Sequence, residues 1–139
     1  MTDQNIIVRK INAIKHNMKR IEQYRDVPLG QFLKDDDIKD IVAHNLFILL
    51  QHIIDLGTHI ISDENMKEPV FMSDIADILA KENVLDGNLV RPMKSMIGLR
   101  NIIAHEYGDI DFKIIHRIMT SSVKDINLIL DCIIRFTGL

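Results

Sequence analysis

The chain has no tryptophan, one cysteine and only three prolines in 139 residues, and aromatic side chains make up 5% of it. Each shortage excludes something. The lone Cys132 cannot close an intramolecular disulfide, which fits a reducing cytoplasm. It stands among Leu130, Ile133 and Ile134, the setting of a buried structural thiol rather than an activated nucleophile. Few aromatics beside 47% apolar residues argue against a β-sandwich and for aliphatic helix packing. There is no excess of positive charge: the formal net charge of −3 argues against bulk electrostatic attraction to nucleic acid, while leaving room for a local patch. Nor is there a clean apolar run. The most apolar stretch, residues 41–61, is interrupted by His44, Asn45, Gln51, His52, Asp55 and His59, a load that a lipid-facing helix would not carry. Residues 1–5 lack the charged-then-apolar pattern of a signal peptide. The expectation is a soluble, cytoplasmic protein with no membrane partner.

What remains is helical periodicity. Residues 1–139 read as one domain by length, large enough for a real core. Ile7, Ile11, Ile14, Met18 and Ile21 form one stripe of an amphipathic helix over about 5–24, and Pro28 and Gly30 end the segment after it. Asp35, Asp36 and Asp37 suit the start of a second helix running to about residue 61, roughly 40 Å at the usual rise. That helix is apolar around much of its circumference, so it belongs in the centre of a bundle or at a subunit interface. Residues 62–71 are a loop, Ser73 and Asp74 open a short helix to about 82, and Asp86-Gly87-Asn88 breaks the chain again. A fourth helix runs to about His105 with Pro92 tolerated in its first turn, Gly108 marks its stop, and Asp111 caps a fifth to about 136. No repeat or strand is evident. The fold expected is an all-α antiparallel bundle of about five helices.

Two constellations carry little chemistry. Asn45, His52 and His59 follow at seven-residue steps, whereas a metal would want two ligands one turn apart and a third element to complete the set. They suit a helix–helix or dimer interface better, and neither a metal nor a cofactor is expected. Cys132 has no marked base beside it.

The third is the octapeptide Arg100-Asn101-Ile102-Ile103-Ala104-His105-Glu106-Tyr107. Arginine is a fixed cation able to hold two phosphate oxygens, and histidine exchanges protons near neutrality, so the pair is what phosphodiester cleavage needs. Five residues apart, Arg100 and His105 lie roughly 140° around an ideal helix and converge only if the helix ends near His105. The stretch from Gly87 to His105 also holds Arg91, Lys94 and Arg100 with no carboxylate, a local positive surface in an acidic protein.

The pattern Arg100-Asn101-x-x-Ala104-His105-x-Tyr107 resembles the signature of HEPN-domain ribonucleases, and the tyrosine narrows the resemblance to the HepT-type toxins of the HepT–MntA systems. Gly98 and Leu99 before Arg100, the helical order, and Asp40, Asn45, Asp55 and His59 on the second helix extend it over essentially the whole chain. The resemblance implies a metal-independent endoribonuclease, the toxin of a type VII toxin–antitoxin pair, acting as a homodimer on RNA, with tRNA the leading substrate and DNA not expected. His105 would be base or acid and Arg100 the phosphate ligand. Asn101 would orient the histidine or the substrate. One histidine cannot easily play both proton roles, and two copies in one cleft remove that difficulty; the products would be a 2′,3′-cyclic phosphate and a 5′-hydroxyl. Tyr107 would be AMPylated by a MntA-type nucleotidyltransferase antitoxin, placing bulk and negative charge beside Arg100 and His105. The alternative is a non-catalytic helical module, a nucleotide-binding or accessory subunit of a small nucleotidyltransferase.

Overall fold

The computed structural model describes residues 3–139; Met1 and Thr2, part of the stretch expected to carry no signal pattern, lie outside it. Among the described residues there are seven α-helices and no strand: α1 (Gln4–Glu22), α2 (Leu29–Lys34), α3 (Asp36–Asp63), α4 (Asp74–Lys81), α5 (Val90–His105), α6 (Phe112–Ser121) and α7 (Val123–Thr137). Asp3 caps α1 by accepting from the Asn5 amide, Asp35 caps α3 through the Ile38 amide and Asp111 caps α6 through the Lys113 amide. Ser73 makes no such bond. Asp74 instead accepts from the amides of Val70 and Phe71, tying the preceding loop to the start of α4.

α3 is the spine. Leu46, Leu49, Leu50, Ile53, Leu56 and Ile60 are buried along it, as a helix apolar on most sides requires. Its length and composition would also suit a membrane span, but 56% of its most apolar 18-residue window is buried inside the protein. α1 runs antiparallel to it, and the register can be read from polar pairs: the Asp3 amide reaches Asp63 Oδ2, Lys10 reaches His52 and Asp55, and Asn17 reaches Asn45. Asn17 and Asn45 are buried, and Asn45 donates its remaining amide hydrogen bond to the Ile41 carbonyl, so both pay their desolvation with partners. Asn45 and His52 therefore line a helix–helix seam, while His59 Nε2 lies 3.0 Å from Asp63 Oδ2 of its own helix. On the far side, Gly57 lets α4 approach: a Cβ there would lie 2.6 Å from Ile75 Cγ2 and 3.3 Å from Leu79 Cδ1.

Two elements differ from the sequence expectation. Residues after Pro28 form α2 rather than ending a segment, because Phe32 is fully buried against Phe112 and His116 at ring distances of 6.5 and 5.2 Å. The expected last helix is two. Thr120 and Ser121 return their hydroxyls to the carbonyls of His116 and Arg117, and the chain bends at Ser122 before α7 begins. Cys132 is buried in α7 as expected.

Candidate active site

α5 positions the octapeptide. Its first amides need no intrahelical acceptor, so Pro92, third in the helix, costs nothing there. The helix ends at His105, where Glu106 turns out of it with φ −134° and ψ 42° while its amide still bonds the Ile102 carbonyl at 2.8 Å. A 3₁₀ turn, Tyr107–Asp109, follows. Gly108 sits within that turn and not in the left-handed region, so the stop comes from Glu106 rather than from glycine's freedom.

Helical geometry holds through His105, and Arg100 and His105 therefore face away from each other around the axis by roughly 140°. Arg100 turns inward. Its Nε donates to Gln51 Oε1 at 2.7 Å, its Nη1 donates to Asn101 Oδ1 at 2.9 Å, and its guanidinium lies 5.6 Å from the centre of the Phe47 ring. Gln51 is itself oriented: its Nε2 donates to Asp55 Oδ1 at 2.9 Å, which leaves only its oxygen for Arg100. Asp55 Oδ2 in turn takes Lys10 Nζ at 3.3 Å. Lys10 lies 3.5 Å from His52 Nδ1, and burial first and this ammonium second hold the His52 pKa below the ordinary histidine value against the opposing pull of Asp55. The chain of contacts from Lys10 to Arg100 thus fixes the guanidinium from the side of α1 and α3 and leaves its outer edge for a ligand.

His105 is exposed at the helix end. Asn101 is half-buried and roughly 40° around the helix from His105, so it borders the histidine's face while touching Arg100. The exposed side of α5 runs through Arg91, Lys94, Ser95, Gly98 and Ile102 to His105. The positive surface expected here is weaker than the bare sequence implies, because Lys94 is paired with Asp77 of α4 at 2.7 Å.

Tyr107 stands in the turn beyond, 46% exposed, and donates its hydroxyl to Asp40 Oδ1 of α3 at 2.7 Å. Its ring meets Phe112 edge-on at 6.3 Å, and Phe112 rests against the buried Phe32. Burial first, then the Asp40 hydrogen bond and charge, push the phenol pKa up to about 12. Among the described residues no cluster of His, Cys, Asp and Glu could hold a metal ion.

A family model described as ribonuclease HepT-like matches residues 14–133. The chain belongs to the HepT-like ribonuclease family. It is similar to the mRNA nuclease HepT of Shewanella oneidensis, 32% identical over 130 residues that cover 93% of this chain and 96% of that protein. It is also similar to the tRNA nuclease HepT of Aphanizomenon flos-aquae, 26% identical over 106 residues, 76% of this chain and 72% of that one. Among solved structures, the tri-AMPylated Shewanella oneidensis HEPN toxin in complex with its MNT antitoxin superposes with a TM-score of 0.84 at 32% identity, covering 96% of this chain and 98% of that one. Within this HepT-like chain, sequence reasoning reaches Arg100, Asn101, His105 and Tyr107 but not Gln51 or Phe47, which lie 49 and 53 positions before Arg100. The one available signal was the Gln51–Asp55 spacing of four, which puts a glutamine and a carboxylate on one face of α3.

Proposed function

We propose that this chain is the toxin ribonuclease of a toxin–antitoxin pair, cleaving RNA with Arg100 and His105 at a site shared by two copies. The observation that carries the reading is an arginine clamped at its inner edge by Gln51, on a helix that terminates at an exposed histidine. The RNA 2′-hydroxyl attacks the adjacent phosphorus once a base takes its proton. The 5′-oxygen leaves with a proton from an acid, and a 2′,3′-cyclic phosphate and a 5′-hydroxyl result. His105 supplies one proton role and the second copy's His105 the other, while Arg100 neutralises the charged phosphorane. No step calls for a metal ion. Because Arg100 and His105 diverge within one chain, a two-fold arrangement along the exposed face of α5, where Ser95 and Gly98 leave room for close approach, would bring a histidine to the neighbouring arginine. Asn101, between the two, would hold the guanidinium or the substrate.

The relatives are named for different RNAs, mRNA and tRNA, and tRNA is the substrate proposed here. Silencing would fall to an MNT-type nucleotidyltransferase that AMPylates Tyr107, a residue 46% exposed and so within a partner's reach. Both activities suit the cytoplasm, where RNA and nucleoside triphosphates occur together.

Purified, unmodified protein incubated with tRNA and with mRNA is the test. His105→Ala and Arg100→Ala should each lose cleavage by about a hundredfold or more while remaining folded dimers. If the unmodified protein cuts neither RNA, and His105→Ala is as harmless in cells as the parent, the enzyme reading fails and a non-catalytic accessory subunit stands in its place.

A further inference from the structure

The modification of Tyr107 raises a chemical problem. Nucleotidyl transfer to a phenol needs the hydroxyl proton removed as the oxygen attacks phosphorus, yet the Tyr107 proton is held more tightly than that of an ordinary tyrosine. A phenolate is therefore scarce at neutral pH, and attack needs an acceptor already in place. The environment of the hydroxyl is specific. Its one hydrogen bond is to Asp40 Oδ1 at 2.7 Å. The ring is fixed by the edge of Phe112, which lies under Lys39 Nζ at 5.0 Å, and Lys39 is itself engaged by Asp36 at 3.1 Å. Beside Tyr107 in the chain stand Glu106 and, two residues on, Asp109. Asp40 is the carboxylate in contact with the oxygen. Both Asp40 and Tyr107 are exposed, so a transferase active site can close over them without unfolding the turn.

We infer that Asp40 is the proton acceptor for nucleotidylation of Tyr107, so that the chain brings the base for its own silencing. The inference rests on Tyr107 being the modified residue. In the step, Tyr107 Oη forms a bond to the α-phosphorus of a nucleoside triphosphate held by the transferase. The bond from that phosphorus to the bridging oxygen breaks, and pyrophosphate leaves. The phenolic proton passes along the existing hydrogen bond to Asp40 and from there to water. The same contact explains why the product is not silently accommodated. A phosphodiester oxygen has no proton to give Asp40, and its negative charge lies against the carboxylate, so the adduct must swing away from α3.

The experiment compares the wild-type chain, Asp40→Asn and Asp40→Glu as substrates of a purified MNT-type nucleotidyltransferase with ATP, following the adduct at Tyr107 by mass. Asparagine keeps an oxygen to receive the hydroxyl but cannot take its proton. Asp40→Asn should be modified about a hundredfold more slowly at neutral pH, chiefly through kcat, and should recover about tenfold per pH unit as hydroxide takes over. The wild-type rate should stay flat over that range, and Asp40→Glu should restore part of it. Unmodified Asp40→Asn should cleave RNA like wild type, which shows that it is folded. If Asp40→Asn is modified at the wild-type rate with the wild-type pH profile, or fails only through a raised KM, Asp40 is a docking contact and the inference is wrong. If the wild-type chain takes no adduct at Tyr107, the reading of Tyr107 falls and the inference falls with it.

Discussion

Arg100 and Tyr107 are seven positions apart and are held in opposite ways. Arg100 leaves a regular helix, half-buried, with its inner edge bonded to α3 through a glutamine that is in turn fixed by Asp55 and Lys10. Tyr107 leaves a short 3₁₀ turn, 46% exposed, held by a single hydrogen bond to α3 and the edge contact with Phe112. A group that must meet a developing charge without reorganising belongs on the first kind of support. A group that another protein must reach and alter belongs on the second. The two candidate sites share α3 as a platform but differ in the number of contacts that hold them.

The largest expected effect tests the first support. Arg100→Lys keeps the charge but loses the fork and the Nε bond to Gln51, and should lower kcat/KM for RNA about a hundredfold, near 2.7 kcal/mol, with circular dichroism unchanged. Gln51→Ala leaves the arginine intact and removes only its orientation. It should cost about tenfold, recorded in the same cleavage assay, since a hydrogen bond to a charged group contributes roughly 1.5–3 kcal/mol and part of it is recovered from water. Tyr107→Phe should leave cleavage within about twofold, because losing one exposed hydrogen bond costs on the order of 1 kcal/mol of stability at most. Coexpression with the transferase should nevertheless no longer rescue growth. An equal loss of cleavage in Tyr107→Phe would show that the two supports are one.

The subtlest test is spectroscopic. Ultraviolet titration should place the Tyr107 phenol near 12, and Asp40→Asn should move it down toward the ordinary tyrosine value. The folded chain holds this proton more tightly than the unfolded one. Its contribution to stability is therefore complete below the ordinary value near 10 and is lost as pH rises through about 12. A midpoint near 10 in the wild type would mean that neither the burial of the phenol nor the Asp40 contact is formed in solution.

Much of the bundle is legible in the sequence. Aliphatic stripes at three- and four-residue steps place α1, α3, α4 and α5, and the aspartates at 35 and 111 mark two starts, since capping is a local hydrogen bond. α2 was not legible. Six residues carry too little periodicity, and its helix is paid for by Phe32 meeting Phe112 and His116, 80 and 84 positions away. The break at Ser122 was written in Thr120-Ser121-Ser122, whose hydroxyls compete for backbone carbonyls, but such runs also occur inside helices, and only the bonds formed decide.

The candidate site divides the same way. The identity and spacing of Arg100, Asn101, His105 and Tyr107 are properties of the chain, and so is the family they signal, because a motif within two helical turns needs no tertiary contact to be recognised. What each residue faces is a property of the fold. Gln51 behind Arg100, Asp77 against Lys94 and Asp40 at the Tyr107 hydroxyl all arrive from α3 or α4, across helix packing that depends on burial of side chains far apart in sequence. Local chemistry nominates the candidate groups. Long-range packing decided which of them is clamped, which is neutralised and which is left within a partner's reach.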